Sequence, residues 1–364
     1  MRSSSTIFGV KLGLGLELYR AKTVEMPLDR VMLADRLGFH SVWTAEAYGA
    51  DALTPLAFLA AHTEHIKLGT AVVQLAARTP AATAMQAMTI DHLAGGSRVI
   101  IGLGVSGPQI VEGWYGQPWG SPNRRLRDYV AIMRKVFARD EPVVHDGDEL
   151  MLPFTGPGSI GEGKPLRSIL HPAGTVEIWI AAGGPMNTAL AAEVADGWLP
   201  MGYGPDGWSL HHAHLERGWS RRGGRPGDFA IMGNLTVEVT DDVRAAIDRK
   251  KPLTGMYVGG MGSETNNFHR DAMARRGFPD AAARIQELWL AGRKDEAVAA
   301  VPDDYIDAGA LFGPASRIRA RWEEVVPAGL TGVILRTEDD QALEIAADLT
   351  GSRDRTADAT EEQP

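Results

Sequence analysis

Several places along the chain put reactive or ligand-binding residue types where a fold could use them. The first is VEIWIAAGGPMNTALAAEVADGWLP at 176–200. The apolar residues at 176–181 read as a buried strand, Gly183 and Gly184 as a bare turn, and Pro185 as the start of a helix with Leu190 and Val194 on its apolar face. Proline suits a first helical position, because its missing N–H would have no intrahelical partner there and its φ is already helical. Glycines just ahead of it let a ligand approach the main chain. The free N–H groups of the first turn, with the helix dipole, then form an anion cup suited to a phosphate. Ala195-Asp196-Gly197-Trp198 opens the next strand, so the run is a β-α-β unit with its cup at the carboxyl end of a strand.

The run Gly102-Leu103-Gly104-Val105-Ser106-Gly107 spells G-x-G-x-x-G after a strand. A dinucleotide fold needs a helix to open at once. Here PQIVEGWYGQPWGSPN follows, broken repeatedly by Pro and Gly. The glycines read better as a strand end against which a flat cofactor can lie. Glu46, Tyr48 and Asp51 follow an earlier strand. A carboxylate and a phenol at the carboxyl end of a barrel strand serve acid–base or orienting work, whereas Asp51 could equally cap the next helix. Glu112 precedes Trp114-Tyr115. Among aromatics it would carry a raised pKa; paired with Arg124 or Arg125 it would not. His211, His212 and His214 form an HHxH cluster on what reads as an exposed helix over 209–222. His211 and His214 could share a helix face, but no third ligand stands nearby, so no metal site is expected and the imidazoles should titrate freely. His40 and His92 read as core-edge or helix-end residues. No nucleophile elbow, HExxH or Walker motif occurs.

The elements that must position these residues alternate along the chain. Strands are predicted over 10–18, 39–44, 66–75, 98–105, 176–181, from 197, 229–240 and 332–336. Helices are predicted over 27–37, 55–62, 80–93, 121–137, from 185, after Asp241-Asp242, and over 339–349. Eight β-α units in succession point to α/β architecture, a (β/α)8 TIM barrel, with an open doubly wound sheet as the other topology such a pattern permits. Two segments break the rhythm as insertions after strands four and seven. Residues 145–175 are rich in Gly and Pro, and 256–304 hold Gly259-Gly260-Met261-Gly262 and then a helical run. In a barrel such connections would form a lid over the catalytic mouth. One domain over 1–350 and a disordered polar tail over 351–364 complete the expected organisation.

Composition narrows the partners. The chain has 364 residues, 44% hydrophobic and 23% charged, with ample length for a large core. A net charge of −9 without a long basic run argues against nucleic acid or an anionic membrane surface. Cysteine is absent, which excludes disulfides, thiolate nucleophiles and Cys-ligated metals and fits a cytoplasmic protein. The opening residues read as a strand carrying Lys11 and Glu17 rather than as a leader, and no uncharged stretch is long enough to span a bilayer.

At this point the residues resemble the luciferase-like superfamily of flavin and deazaflavin oxidoreductases, closest to the actinobacterial branch that uses coenzyme F420. The resemblance rests on SVWTAEAYGADALTPLAFLAAHTEHIKLGTAVVQLAARTPAATAMQAMTIDHLAGG, VIIGLGVSGPQIVEGWYGQPW, AAGGPMNTALAAEVADGWLP and LFGPASRIRARW…AGLTGVIL, in order over most of the chain. It implies a barrel with the ring over the carboxyl ends of the strands and a non-proline cis peptide between Ala71 and Val72, beside Thr70. It also implies a cofactor edge at Gly104, Val105, Ser106 and Gly107, and a phosphate turn at Ala182, Gly183, Gly184, Pro185 and Met186. Sugar-phosphate dehydrogenases of this family carry an Asp-His pair after strand two, where Glu46-Ala47 stands, and a Glu after the strand-four glycines, where Gly107-Pro108-Gln109 stands. Their reaction is therefore not implied. The expectation is hydride exchange between F420 and a small organic substrate, with Glu46, Tyr48 and Glu112 as catalytic candidates. The alternatives are an FMNH2-dependent monooxygenase and a barrel that only binds a flavin. A homodimer is expected.

Overall fold

The computed structural model describes residues 9–261, 267–326 and 328–353. Eight parallel strands close a barrel: β1 (Lys11–Gly15), β2 (Ser41–Thr44), β3 (Lys67–Thr70), β4 (Val99–Gly104), β5 (Glu177–Ala182), β6 (Gly197–Pro200), β7 (Ala230–Val239) and β8 (Gly332–Arg336). Each pairs with the next in parallel, and β8 returns to β1, with Lys11 opposite Gly332 and Leu14 opposite Leu335. The predicted strand over 66–75 is interrupted. After Thr70 the chain passes through a cis Ala71–Val72 peptide, and Val73–Gln74 pairs further along β4, opposite Leu103 and Gly104.

The barrel interior is filled by Trp43, Ile100, Trp179, Leu199, Ala230, Met232 and Ile334. The indoles of Trp43 and Trp179 lie 5.2 Å apart, centroid to centroid. Room for Trp43 comes from two strand glycines. A Cβ at Gly13 would sit 2.6 Å from Trp43 Nε1, and one at Gly69 would sit 2.5 Å from its ring. The outward faces of the strands and the inward faces of the helices form a second, larger apolar layer that includes Leu56, Leu59, Tyr129, Met133, Trp219 and Trp322. Helix α1 (Pro122–Ala138) shows how such a helix is specified: Leu126, Tyr129, Val130, Ile132, Met133 and Val136 are buried on one face while Arg124 and Arg127 face out. Among the described residues no helix is long and apolar enough to cross a membrane.

The insertion after β4 departs from its expected place. It follows α1, so it begins and ends at the amino end of the barrel, the end opposite the mouth. From there its hairpin His145–Asp146/Met151–Leu152 climbs along α1. The Asp128 carboxylate accepts from the main-chain N–H groups of Glu149 and Leu150, and Glu149 meets Arg125 and the N–H of Ser121 near the start of α1. The hairpin therefore clasps α1 and reaches toward its start. The insertion after β7 is a helical unit with its own core of Val258, Met273, Ile285, Leu288 and Phe312. Its helix Val243–Gly260 and the added strand Ala310–Gly313, which pairs with the upper half of β7, stand at the carboxyl end of the barrel. Residues 262–266, including Gly262, lie outside the described residues, as do 354–364 of the predicted tail. The first residues of that tail are packed: Ser352 is buried and its hydroxyl donates to Leu37 O.

Candidate functional site

The carboxyl ends of β3, β4 and β5 form a shelf. Thr70 is fully buried, and its hydroxyl donates to Gly102 O while accepting from Gly102 N. Its side chain thus stitches β3 to β4 and does not reach the mouth. The next two residues, Ala71 and Val72, are partly exposed above the interior cluster. Val72 lies against Gly104, where a Cβ would come within 2.5 Å of Val72 Cγ2. Val105, Ser106 and Gly107 continue the shelf, with Ser106 in the left-handed region at φ 60° and Gly107 at the start of a one-turn helix.

On the neighbouring strand, Ala182 leads into the glycine turn, and Gly184 precedes helix α2 (Pro185–Val194), with proline at its first position as the sequence predicts. A Cβ at Gly184 would meet nothing within 4 Å. Met186 is exposed. Two polar atoms of this first turn, Asn187 Oδ1 and Thr188 Oγ1, are buried without a hydrogen-bond partner. Buried polar groups ordinarily have partners. Open space beside a helix start, where the first-turn N–H groups have no intrahelical acceptor, fits a bound anion.

The end of β2 is built differently from the expectation. Glu46 is 7% exposed. Its carboxylate takes both arms of the Arg78 guanidinium at 2.8 and 3.0 Å, and the main-chain N–H groups of Gln74 and Ala52 at 2.9 and 3.2 Å. Gln74 returns a bond from its amide to Glu46 O. Glu46 is thus the knot between the loops after β2 and β3, directly behind the shelf. Asp51 caps the following helix by accepting from Leu53 and Thr54 N–H. Burial pushes it up, but those hydrogen bonds and the Arg78 charge leave it below its ordinary value. Tyr48 is exposed beside Trp114, with ring centroids 6.4 Å apart.

Glu112 is also exposed, not enclosed by aromatics. It accepts from Trp119 N–H, while Arg125 is taken by Glu149 and Arg124 faces Asp148. Tyr115, absent from the predicted site, ties this loop to the β2 loop by donating to Ala47 O, and burial raises its pKa.

The histidines divide. His211 is buried against Trp198 and Tyr203, and burial pushes its pKa down to about 4, so the expected free titration is wrong for this residue. The reason is that helix Gly207–Arg222 lays one face on the barrel, and His211 lies on that face with Leu215 and Trp219. His212 pairs with Glu216 and His214 with Arg217 outside. Among the described residues no cluster of three or more His, Asp or Glu is arranged to hold a metal.

A polar group that the motifs did not reveal stands opposite the shelf. Arg336, last residue of β8, lies over Gly15 and above Ile334. It donates from Nε to Asn234 Oδ1 at 3.1 Å and from Nη1 to Glu17 Oε1 at 3.0 Å. A cleft of about 800 Å³ opens here, lined by Gly15, Glu17, Thr236, Lys250 and Arg336 among others. The only sequence signal was period two: 13 and 15 on β1, 232, 234 and 236 on β7, and 334 and 336 on β8 face inward, with Glu17 two residues past the end of β1.

A closed parallel barrel with a shelf and an open helix start at its carboxyl end defines a (β/α)8 protein with a candidate cofactor site. The chain belongs to the luciferase-like monooxygenase family, whose pattern matches residues 13–332. It is 43% identical, over 93% of its length and 99% of the relative's, to a Mycobacterium tuberculosis protein assigned by name to the coenzyme F420-dependent oxidoreductases. It is 27% identical to the 5,10-methylenetetrahydromethanopterin reductase of Methanolobus tindarius, over 88% of this chain and 92% of that one. Among solved structures, the F420-dependent tetrahydromethanopterin reductase of Methanopyrus kandleri superposes with a TM-score of 0.74 at 21% identity, covering 94% and 98% of the two chains. An F420-dependent secondary alcohol dehydrogenase does so at 0.73 and 18%, covering 95% and 99%. These two share the fold.

Proposed function

We propose that the protein is an F420-dependent oxidoreductase acting on a small organic substrate. One observation carries the reading. The Ala71–Val72/Gly104–Gly107 shelf and the open α2 start at Gly184 are on adjacent strands at one end of the barrel. That arrangement suits a flat ring joined to a phosphate. The 43% identical relative makes F420 the preferred ring. Bound there, the deazaflavin would supply or accept a hydride.

The chain's own residues do the rest. Gly183, Gly184 and the N–H groups of Met186 and Asn187 hold the anion. Ala71, Val72, Gly104, Val105 and Ser106 support one face of the ring. Glu46 and Arg78 fix the loops behind that support, and Tyr48 and Trp114 form an apolar rim against water. Glu46 is on this reading a positioning residue. A homodimer belongs to the same proposal, supported by the exposed Phe58, Met85 and Leu93 on neighbouring helices, as does a cytoplasmic location, supported by the lack of cysteine.

The test is a parallel binding titration of the apoprotein with F420, FMN and NADPH. The expected result is F420 binding at least about tenfold tighter than the others, a difference of ~1.4 kcal/mol. FMN binding as tightly or more so would overturn the reading in favour of a flavin enzyme.

A further inference from the structure

The inward residues of β7, β8 and β1 change character at one level of the barrel. Met232 and Ile334 belong to the packed floor. One step higher, Asn234 is exposed although its strand neighbours Gly233 and Leu235 are buried, and Glu17 is exposed as well. Exposure in the middle of a barrel strand means that the interior is open at this height. Arg336 stands there with its side chain only 17% exposed. Its bonds to Asn234 and Glu17 use Nε and Nη1, and among the described residues Nη2 has no hydrogen-bond partner. A guanidinium braced on two sides, with a donor left over at the wall of a cleft of about 800 Å³, is suited to seat a ligand oxygen.

The charge of the cleft selects the kind of oxygen. Carboxylates outnumber cations five to four among its lining side chains. The cations are largely engaged: Arg336 by Glu17, Arg249 by Glu238, and Arg30 by Asp340 and Glu338 O. A carboxylate ligand would add negative charge where none is uncompensated in its favour. An uncharged carbonyl oxygen needs only the donor.

We propose that Arg336 is the residue that seats the carbonyl oxygen of an uncharged substrate, with Glu17 and Asn234 holding its guanidinium in place. The proposal rests on the oxidoreductase reading above and deepens it. A donor at the carbonyl oxygen would also polarise the bond toward hydride addition at carbon.

The experiment uses acetophenone as an uncharged carbonyl probe and benzoate as its anionic counterpart. Binding of each to the full chain is read by ligand-observed NMR, and F420 binding is read separately by cofactor fluorescence. Wild-type protein should bind acetophenone at least about fivefold tighter than benzoate. Arg336→Met should weaken acetophenone about tenfold or more, the scale of a hydrogen bond to a charged donor, and leave F420 affinity within about twofold. Glu17→Gln, which removes charge and keeps an acceptor, should raise benzoate affinity. Acetophenone binding that is absent in wild type, or unchanged in Arg336→Met, overturns the proposal, and so does a wild-type preference for benzoate. If wild-type protein fails to bind F420 while Arg336→Met still loses acetophenone, the subsite stands and the cofactor reading falls.

Discussion

Val72 rests on the α-carbon of Gly104. The two residues belong to neighbouring strand ends, and a Cβ at 104 would lie 2.5 Å from Val72 Cγ2, closer than any real side chain tolerates. Glycine at 104 is therefore what lets the 71–72 segment lie flat against β4. Gly104→Ala should push Val72 into the space above the shelf. Overpacking of this kind costs about 1–3 kcal/mol. The variant should fold, by circular dichroism, and bind F420 about tenfold or more weakly in a fluorescence titration. Unchanged affinity would mean that the shelf does not carry the ring.

The α2 start allows a test in which stability and binding move in opposite directions. Gly184 has ordinary extended dihedrals, φ −93° and ψ 155°, and open space around its missing side chain. Gly184→Ala should therefore leave the fold intact. Gly184→Asp places a carboxylate at a helix N-cap, where aspartate is among the preferred residues. Its melting temperature should hold or rise, while repulsion weakens a bound phosphate. The expected pattern is tenfold or greater loss of F420 affinity in the Asp variant and little loss in the Ala variant. Equal affinities in a well-folded Asp variant would remove the phosphate from this turn.

Much of the frame was legible because it depends on local patterning. Residues such as 99–104, buried throughout, and the Gly-Gly-Pro step at 183–185 declare a strand and a helix start without knowledge of their neighbours. What failed depends on partners distant in sequence. Glu46 looks like a free acid until Arg78, 32 positions on, is folded back onto it. His211 looks exposed until Trp198 and Tyr203 close over it. The length of residues 145–175 is visible in the sequence, but the anchorage of their hairpin on Asp128 is not. Arg336 carries no motif at all. Its importance lies in strand register, which brings Asn234 of β7 and Glu17, just past the end of β1, to its own height.

His211 also makes acid stability predictable. In the folded protein burial holds its pKa at about 4, and an unfolded histidine titrates near 6.5. Below about pH 6.5 the unfolded chain takes up a proton that the folded chain refuses. The stability from this residue is present above 6.5 and is lost as pH falls toward 4. His269, also held at about 4 by burial, acts in the same direction. Melting temperature should fall between pH 7 and pH 4.5, and His211→Phe should flatten part of that fall, with His269 supplying a remainder. Parallel curves for wild type and variant would show that the imidazole stays accessible.

Position at the end of β2 alone nominates Glu46 as an acid or base. Its two oxygens already accept four donors, two from Arg78 and one each from the N–H groups of Gln74 and Ala52. A carboxylate so occupied gains nothing by releasing or taking a proton during turnover. Glu46→Gln would turn an amide NH2 toward donors and leave the Arg78 charge half-buried without its partner. Breaking a buried pair by removing one member costs about 3–5 kcal/mol. The melting temperature should drop by several degrees, and F420 affinity should fall because the loops behind the shelf loosen. Arg78→Met should reproduce both effects, which an acid–base role for Glu46 would not require. The shape of the pH–rate profile should be the same in wild type and in Glu46→Gln, with the whole curve lowered. A profile that loses one limb in Glu46→Gln, at unchanged melting temperature and unchanged cofactor affinity, would instead make Glu46 the proton-transfer group.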